Sequence, residues 1–359
     1  MRLSVRSPRV QDGLVVVVAL LLTAFYVWAG GGGFALDDAW IHQTYARNLG
    51  LYGEWAFVRG VPSAASTSPL YTILLAAGYV LGVPFTLWTH GLGATALAGI
   101  GLLAIRLARR LTGPRSLAPL AAGLACVGSW HLIWAAASGM ETALFAMWTL
   151  ALILLAWREI DAQRPRPWLR AVVFGAAAAL TMLTRPEGLL LTGLCGLALL
   201  MAHPRRSLRV MLGWLLLAGG VWLLFMLPYF VSNLQLAGSL LPGTNAAKVV
   251  ALSVRYELPL HMRFAQIASA MFAGAQLLLL PGVVVYSFRF LRIPHRSSSS
   301  ALFLVPIIWA LALPALYSLW MPFWEQHGRY VIPAIPSLVV TGVIGSYWLL
   351  KRVQRQSVM

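Results

Sequence analysis

The sequence predicts an all-α, polytopic membrane protein, and three observations carry this prediction. Of the 359 residues, 60% are hydrophobic and only 10% are charged, and the mean hydropathy is +0.78. A water-soluble domain of ordinary composition carries fewer apolar and more charged residues. Because about 20 apolar residues span the hydrocarbon core of a bilayer, the chain has room for roughly ten crossings. We therefore expect residues 1–359 to form a single transmembrane domain with no large soluble domain.

The apolar residues fall into runs separated by short polar segments. The eleven runs are residues 14–30, 69–82, 86–105, 117–137, 141–157, 168–184, 188–202, 208–231, 264–288, 301–320 and 330–350. If all of them crossed, the arginines of residues 106–115 would lie opposite the N-terminal arginines, against the positive-inside rule. Run 69–82 begins with Pro69 and is about 21 Å long as a helix, so we assign it to an interfacial helix. Ten crossings remain.

With ten crossings, the charges separate between the two faces. The predicted cytoplasmic side holds 20 of the 27 basic residues and three acids, whereas the outer side holds seven basic residues and seven acids. The net charge of +17 therefore indicates a positive-inside bias, and we expect no nucleic-acid partner. We predict a multi-pass protein of the bacterial cytoplasmic (inner) membrane with both termini cytoplasmic. Cys126 and Cys195 lie within apolar runs and indicate core residues rather than a disulfide or zinc site.

Five polar clusters fall on the predicted outer face. Two lie in long outer loops, at about 31–85 and 232–263, and three lie in short connections. The clusters are residues 36–42, 138–142, 184–188, 242–248 and 325–330. Charged groups at an apolar boundary are costly, so they tend to partner one another around a cavity. We therefore predict one convergent site on the outer face.

Asp37 and Asp38 are the first candidates for chemistry in these clusters. Either carboxylate is suited to act as a general base toward a hydroxyl, and both are candidate oxygen ligands for a divalent cation such as Mg²⁺, Mn²⁺ or Ca²⁺. The alternative is structural: one aspartate caps the helix that starts near Ala39, and the other is solvated. The spacing of the residues leaves both interpretations open.

The other clusters carry candidates of both charges. Lys248, Arg329 and His327 are candidates for binding a phosphate, with anchoring at the membrane interface as the alternative. Glu141 and Glu187 are candidate ion-pair partners of the arginines. His42 lies one helical turn after Asp38, so it is either a substrate or metal contact or a packed polar residue.

Five motifs, the first in two parts, resemble those of the GT-C superfamily of polytopic glycosyltransferases. They are LDDAWIHQTYARNL from Leu36 with TSPLYT from Thr67, SGMETALF from Ser138, TRPEG from Thr184, PGTNAAK from Pro242 and HGRYVIPAIP from His327. The first motif looks like the first outer loop of the branch that contains the mycobacterial terminal arabinofuranosyltransferases. The resemblance covers about residues 34–340. It implies juxtamembrane helices in the first outer loop, in agreement with an interfacial helix at 69–82.

The resemblance implies an inverting hexosyl- or pentosyltransferase at the outer face of the membrane. Such an enzyme moves a sugar from a polyprenyl-phosphate donor to a hydroxyl of a glycan, lipid or protein acceptor, in cell-envelope glycan or glycoconjugate assembly. Asp37, or alternatively Asp38, would accept the proton, and a divalent cation is not required. Many relatives carry a soluble C-terminal domain that helps to bind the acceptor. We therefore expect a partner protein, besides membrane lipids, to assist acceptor recognition here.

The same resemblance assigns roles to the remaining polar residues. The candidates for binding the donor phosphate are Lys248, Arg329, Arg185 and His327. The candidates for orienting the substrate are Glu141, Glu187, His42, Asn245 and Tyr330.

Two other classes of protein could carry charged clusters on the outer face. A transporter or flippase of lipid-linked sugars would use the same outer charges to line a path, but such a path continues to the inner face and often shows repeat symmetry. The inner loops carry no matching acidic cluster. A noncatalytic membrane scaffold would not explain why acids and bases are concentrated in five clusters.

Overall fold

The computed structural model describes residues 7–64, 66–160, 167–202, 207–241, 252–292 and 300–356. These residues are mainly helical. The helices are α1 (Pro8–Ala29), α2 (Asp38–Tyr52), α3 (Pro69–Val80), α4 (Phe85–Thr112), α5 (Ala118–Val127), α6 (Trp130–Ala137), α7 (Thr142–Arg158), α8 (Pro167–Thr184), α9 (Gly188–Met201), α10 (Leu208–Ala237), α11 (Leu260–Ser269), α12 (Leu280–Leu291), α13 (Ser300–Trp320) and α14 (Ile335–Gln356). A small antiparallel hairpin, β1 (Ala56–Val58) and β2 (Val61–Pro62), follows α2.

Helix length and composition indicate a multi-pass membrane protein. Six helices are long and apolar enough to cross a bilayer, namely α1, α4, α8, α10, α13 and α14 with the turn before it. The bent pairs α5–α6 and α11–α12 raise the number to eight if each pair is one span. Ten crossings also require α7 and α9, which have 17 and 14 residues. The count of ten stays a prediction.

The predicted run 264–288 is not one straight helix. Its two halves meet at an angle of 96° around Gly274. Trp130 of α6 holds the bend, because its Nε1 donates a hydrogen bond to the carbonyl oxygen of Ala273 at 2.7 Å. A Cβ added at Gly274 would lie 2.7 Å from Gln276 Oε1 and 3.0 Å from Trp130 Nε1. A side chain at this position would have to displace Gln276 or Trp130. The hydropathy of the run does not predict the bend.

Glycines bring several helices into backbone contact. A Cβ added at Gly345 of α14 would lie 1.8 Å from the carbonyl oxygen of Gly282 in α12. A Cβ added at Gly93 of α4 would likewise lie 1.8 Å from the carbonyl oxygen of Ala136 in α6. Such contacts through small residues are typical of helix pairs in membranes. They hold α6 against α4 and so fix the start of the α6–α7 connection.

The connection between α1 and α4 is built on α2 and α3. The two helices pack on each other around Ala46, Tyr71 and Leu75. α3 begins at Pro69 as predicted and ends two residues early, at Val80. Twelve residues give a helix of about 18 Å, which is too short for a hydrocarbon core of about 30 Å. This length agrees with the predicted juxtamembrane arrangement.

Candidate active site

The structure brings four of the five polar clusters together. The start of α2, the α6–α7 connection, the α8–α9 turn and the loop before α14 contribute to one network of side chains. Its members are Asp38, His42, Glu141, Arg185, Glu187, Arg329 and Tyr330. The fifth cluster, which contains Asn245 and Lys248, lies outside the described residues.

Glu141 connects α2 to the α8–α9 turn. It is 2% exposed and stands immediately before α7. Arg185 Nη1 donates a hydrogen bond to Glu141 Oε1 at 2.6 Å, and His42 Nε2 lies 3.4 Å from Glu141 Oε2. The other ring nitrogen, His42 Nδ1, lies 3.3 Å from Thr72 Oγ1 on α3. His42 is therefore a buried polar residue between two helices and the carboxylate.

Arg185 is the centre of the network. Its Nη2 donates to Glu187 Oε1 and to Tyr317 Oη, each at 3.0 Å. Its guanidinium also lies 4.9 Å from the centre of the Tyr330 ring. The ion-pair interpretation of Glu141 and Glu187 therefore describes this geometry. Tyr317 was not predictable from the sequence, because a tyrosine within an apolar run is ordinary.

Arg329 joins the network to the Asp-Asp motif. It is 3% exposed, and its Nη2 donates to the carboxylate of Asp38 and, at 2.9 Å, to Tyr330 Oη. Its Nε and Nη1 find no hydrogen-bond partner among the described residues. Buried donors without partners cost free energy, which a bound acceptor recovers. Arg329 therefore retains the capacity to bind an anion.

The backbone just before Arg329 is strained. Gln326 and His327 have φ values of 52° and 59°, in the left-handed region that residues with a side chain rarely adopt. Strain of this kind is concentrated at ligand sites and moving segments. The loop that carries Arg329 is therefore held in a costly conformation.

Asp37 precedes α2 and is exposed. Its Oδ1 accepts a hydrogen bond from the backbone N–H of Asp38 at 2.9 Å. Within the part of the chain that the structure describes, Asp37 forms no ion pair, in contrast to Asp38. One carboxylate of the motif is therefore held by a buried arginine, and the other caps the helix and faces solvent.

His327 does not join the network. Its ring makes edge-on contacts with Trp130 and Trp134, at centre-to-centre distances of 5.1 and 5.2 Å. The side chain is exposed above these two rings. Its predicted role toward a phosphate therefore has no support from its contacts.

The predicted site for a divalent cation can be compared with the side chains that the structure describes. No group of three His, Cys, Asp or Glu side chains converges among them. The adjacent carboxylates of Asp37 and Asp38 alone supply few of the six or more oxygens that such cations take, and Asp38 is engaged by Arg329. A cation at this motif stays a prediction.

The charges around Glu141 fix its protonation. Burial raises the pKa of the Glu141 carboxyl, but interactions with His42 and Arg185 lower it by more, so its pKa lies well below the ordinary value of 4.5. Burial lowers the pKa of Arg185, and the charges of Glu187 and Glu141 raise it by more. Both groups are therefore charged at neutral pH.

We expect Glu141→Gln to lower the melting temperature of the purified protein at neutral pH. Removing one partner of a buried ion pair typically costs about 3–5 kcal/mol. Because the pKa of Glu141 is depressed on folding, its contribution is present above the ordinary glutamate pKa and is lost as pH falls through the folded value. The difference in melting temperature between the wild type and Glu141→Gln should therefore become smaller as the pH is lowered.

The matched control is Glu257→Gln, which removes an exposed carboxylate. Surface changes of this kind usually stay within about 0.5 kcal/mol. Equal melting curves for the two variants at neutral pH would show that Glu141 is not a buried ion-pair partner.

The fold matches solved membrane glycosyltransferases. The oligosaccharyltransferase of Archaeoglobus fulgidus with a tethered acceptor peptide aligns with a TM-score of 0.62 at 14% identity, covering 96% of this chain and 50% of that one. The same organism's enzyme AglB, in complex with an inhibitory peptide and a dolichol-phosphate, aligns with a TM-score of 0.60 at 14% identity, covering 97% of this chain and 51% of that one. ArnT from Cupriavidus metallidurans aligns with a TM-score of 0.58 at 20% identity, and the alignment covers 92% of this chain and 59% of ArnT.

These comparisons identify the fold. The neighbours are glycosyltransferases of the GT-C superfamily, so the chain has the GT-C fold that its motifs indicated. The chain spans about half the length of the oligosaccharyltransferase and 59% of ArnT. No family model and no curated protein matches the sequence.

Proposed function

Because the chain has the GT-C fold, we propose that it is an inverting glycosyltransferase that moves a sugar from a polyprenyl-phosphate donor to an acceptor hydroxyl. The observation that carries this proposal is that the exposed carboxylate of Asp37 adjoins Asp38, whose own carboxylate binds the incompletely satisfied Arg329. Asp38 links the two, since its backbone N–H binds Asp37 and its carboxylate binds Arg329. A base and an anion-binding group side by side suit transfer from a phosphate leaving group.

The reaction is a single displacement. Asp37 takes the proton of the acceptor hydroxyl while the hydroxyl oxygen attacks the anomeric carbon from the face opposite the phosphate. The bond between the anomeric carbon and the phosphate oxygen breaks, and its electron pair stays on the polyprenyl phosphate. Arg329 stabilises the negative charge that develops there. Attack from the opposite face inverts the anomeric configuration.

Donor binding requires a movement of the loop before α14. Arg329 Nε and Nη1 are enclosed in the structure, so a phosphate reaches them only after this loop shifts. The strained residues Gln326 and His327 lie in the same loop. Relief of that strain would favour the donor-bound conformation.

Arg185 has a different role in this proposal from Arg329. Its guanidinium already binds two carboxylates and Tyr317, which leaves little capacity for a phosphate. We assign it, with Glu141, Glu187 and His42, to positioning: it holds one face of the Tyr330 ring, and Arg329 lies 4.8 Å from the centre of the same ring. From the sequence alone, Lys248 stays a predicted ligand of the donor phosphate, and Asn245 stays a predicted substrate-orienting residue.

The solved neighbours support the proposed donor class. One of them was solved with a dolichol-phosphate, which is a polyprenyl phosphate, and with a peptide. Three further parts of the proposal come from the sequence of this chain. They are the arabinofuranosyltransferase-like branch, the action at the outer face of the bacterial cytoplasmic membrane in envelope assembly, and the help of a partner protein.

The direct test is an assay of the full chain in lipid vesicles with a labelled polyprenyl-phosphate sugar and an acceptor. A transferase converts the donor into free polyprenyl phosphate and glycosylated acceptor. A carrier only redistributes intact labelled lipid between the leaflets. Redistribution without any chemical conversion, across a panel of pentosyl and hexosyl donors, would contradict the proposal.

A further inference from the structure

A cavity lies at the opposite end of α14 from the candidate active site. Its volume is about 660 Å³, within the range of ligand pockets. It opens between the C-terminal halves of α12 and α14. Arg329 and Tyr330 stand before α14, whereas the cavity lies near its end, about 30 Å away at the helical rise of 1.5 Å per residue. The cavity is therefore at the membrane surface remote from the active site.

The lining of this cavity divides into a cationic and an apolar part. The cationic part is formed by Arg289, Arg292, Lys351, Arg352 and Arg355. The apolar part includes Val284, Phe288 and Leu349. Neither residues 280–292 nor residues 335–356 contain an acid. Five positive charges therefore surround one cavity with no counter-charge from its own helices.

Aromatic rings hold part of the cationic lining in place. Trp348 stacks on Tyr286 with an angle of 4° between the rings, and the guanidinium of Arg289 lies 4.4 Å from the centre of the Trp348 ring. The amino group of Lys351 lies 4.7 Å from the centre of the Tyr347 ring. Such contacts orient cations that would otherwise spread into solvent. Aromatic rings therefore orient Arg289 and Lys351, two of the five exposed cations.

We propose that this cavity binds one anionic phospholipid. Its headgroup phosphate lies among the five cations, and an acyl chain lies along the apolar wall of α12. A free phosphate would leave the apolar wall uncovered, and a zwitterionic lipid would leave the cations without net compensation. The bound lipid bridges α12 and α14, and α14 leads back to Arg329. This inference does not depend on the proposed transferase activity.

The test is native mass spectrometry of the full chain released from detergent micelles. Phosphatidylglycerol, phosphatidylcholine and glycerol phosphate are added in separate arms. We expect one molecule of phosphatidylglycerol to be retained, phosphatidylcholine to be lost, and glycerol phosphate not to compete. Competition by glycerol phosphate at equal concentration would indicate a free-phosphate site instead, and equal retention of both lipids would overturn the proposal.

The variant Arg289→Gln/Arg292→Gln/Arg352→Gln locates the site. At about 1 kcal/mol for each basic residue near anionic lipid, affinity should fall on the order of a hundredfold. The matched control, Arg106→Gln/Arg115→Gln/Arg209→Gln, removes three exposed arginines from other basic segments and should retain the lipid. Val284→Trp fills the cavity while leaving every charge, and it should also release the lipid. Retention by both test variants, or equal loss in the control, would refute this site.

Discussion

Asp37→Asn is expected to lower the rate of sugar transfer by about 10²–10⁴-fold, the usual contribution of a general base. The amide can accept the hydrogen bond from the backbone N–H of Asp38, so the cap on α2 is retained. It cannot take the proton of the acceptor hydroxyl. Because Asp37 is exposed, the melting temperature of the variant should stay close to that of the wild type. The measurement is the initial rate of release of free polyprenyl phosphate.

Glu54→Gln is the matched control for Asp37→Asn. Glu54 lies in the same connection between α1 and α4, and its Oε2 accepts a hydrogen bond from the backbone of Gly60 in the small hairpin. The variant makes the same change of charge away from the network and should transfer at the normal rate. Asp38→Asn should also impair transfer, because Arg329 loses its carboxylate partner. If Asp37→Ala and Asp38→Ala both keep near-normal turnover, the mechanism is wrong.

Arg329→Gln is expected to lower kcat by about 10²–10³-fold, as the loss of one donor to a developing anion does in other enzymes. The effect arises because the guanidinium supplies charge and N–H groups where the leaving phosphate becomes negative. Arg329→Lys keeps the positive charge but loses the planar set of N–H donors. Its kcat should therefore lie between those of Arg329→Gln and the wild type. Initial rates of transfer at a saturating concentration of donor give kcat for the three proteins.

Two further variants separate the role of Arg329 from its structural contact. Arg255→Gln removes another arginine, which pairs with Glu325 in the loop before α14, and it should leave kcat near normal. Arg329→Gln/Asp38→Asn removes both partners of the ion pair and should recover thermal stability relative to Arg329→Gln, without recovering activity. Recovery of activity in the double variant would mean that Arg329 only neutralises Asp38.

The distribution of charge made the broad architecture predictable. The positive-inside bias placed the acidic and basic clusters on one face, and the structure joins four of them through Arg185 and Arg329. The positive-inside rule excluded run 69–82 as a crossing, and its initial proline and short length are compatible with an interfacial helix; α3 begins at Pro69 and has 12 residues. These features depend on the composition and spacing of residues, which can be read directly from the sequence.

The individual contacts of the site were not predictable in the same way. Arg185 and Arg329 were equally suitable partners for Glu141, and only packing assigns Arg185 to the glutamates and Arg329 to Asp38. His327 has a left-handed backbone conformation, and its ring contacts Trp130 and Trp134 rather than the network. That conformation and the corner at Gly274 arise from tertiary contacts that leave no period or motif in the sequence.

The most direct test is a structure of the full chain with a nonhydrolysable polyprenyl-phosphate sugar bound. We predict that a phosphate oxygen lies within hydrogen-bond distance of Arg329, with the loop before α14 displaced. The Asp37 carboxylate should face the anomeric carbon on the side away from the phosphate. A donor phosphate bound elsewhere, with Arg329 still enclosed and Asp37 remote from the sugar, would contradict the account.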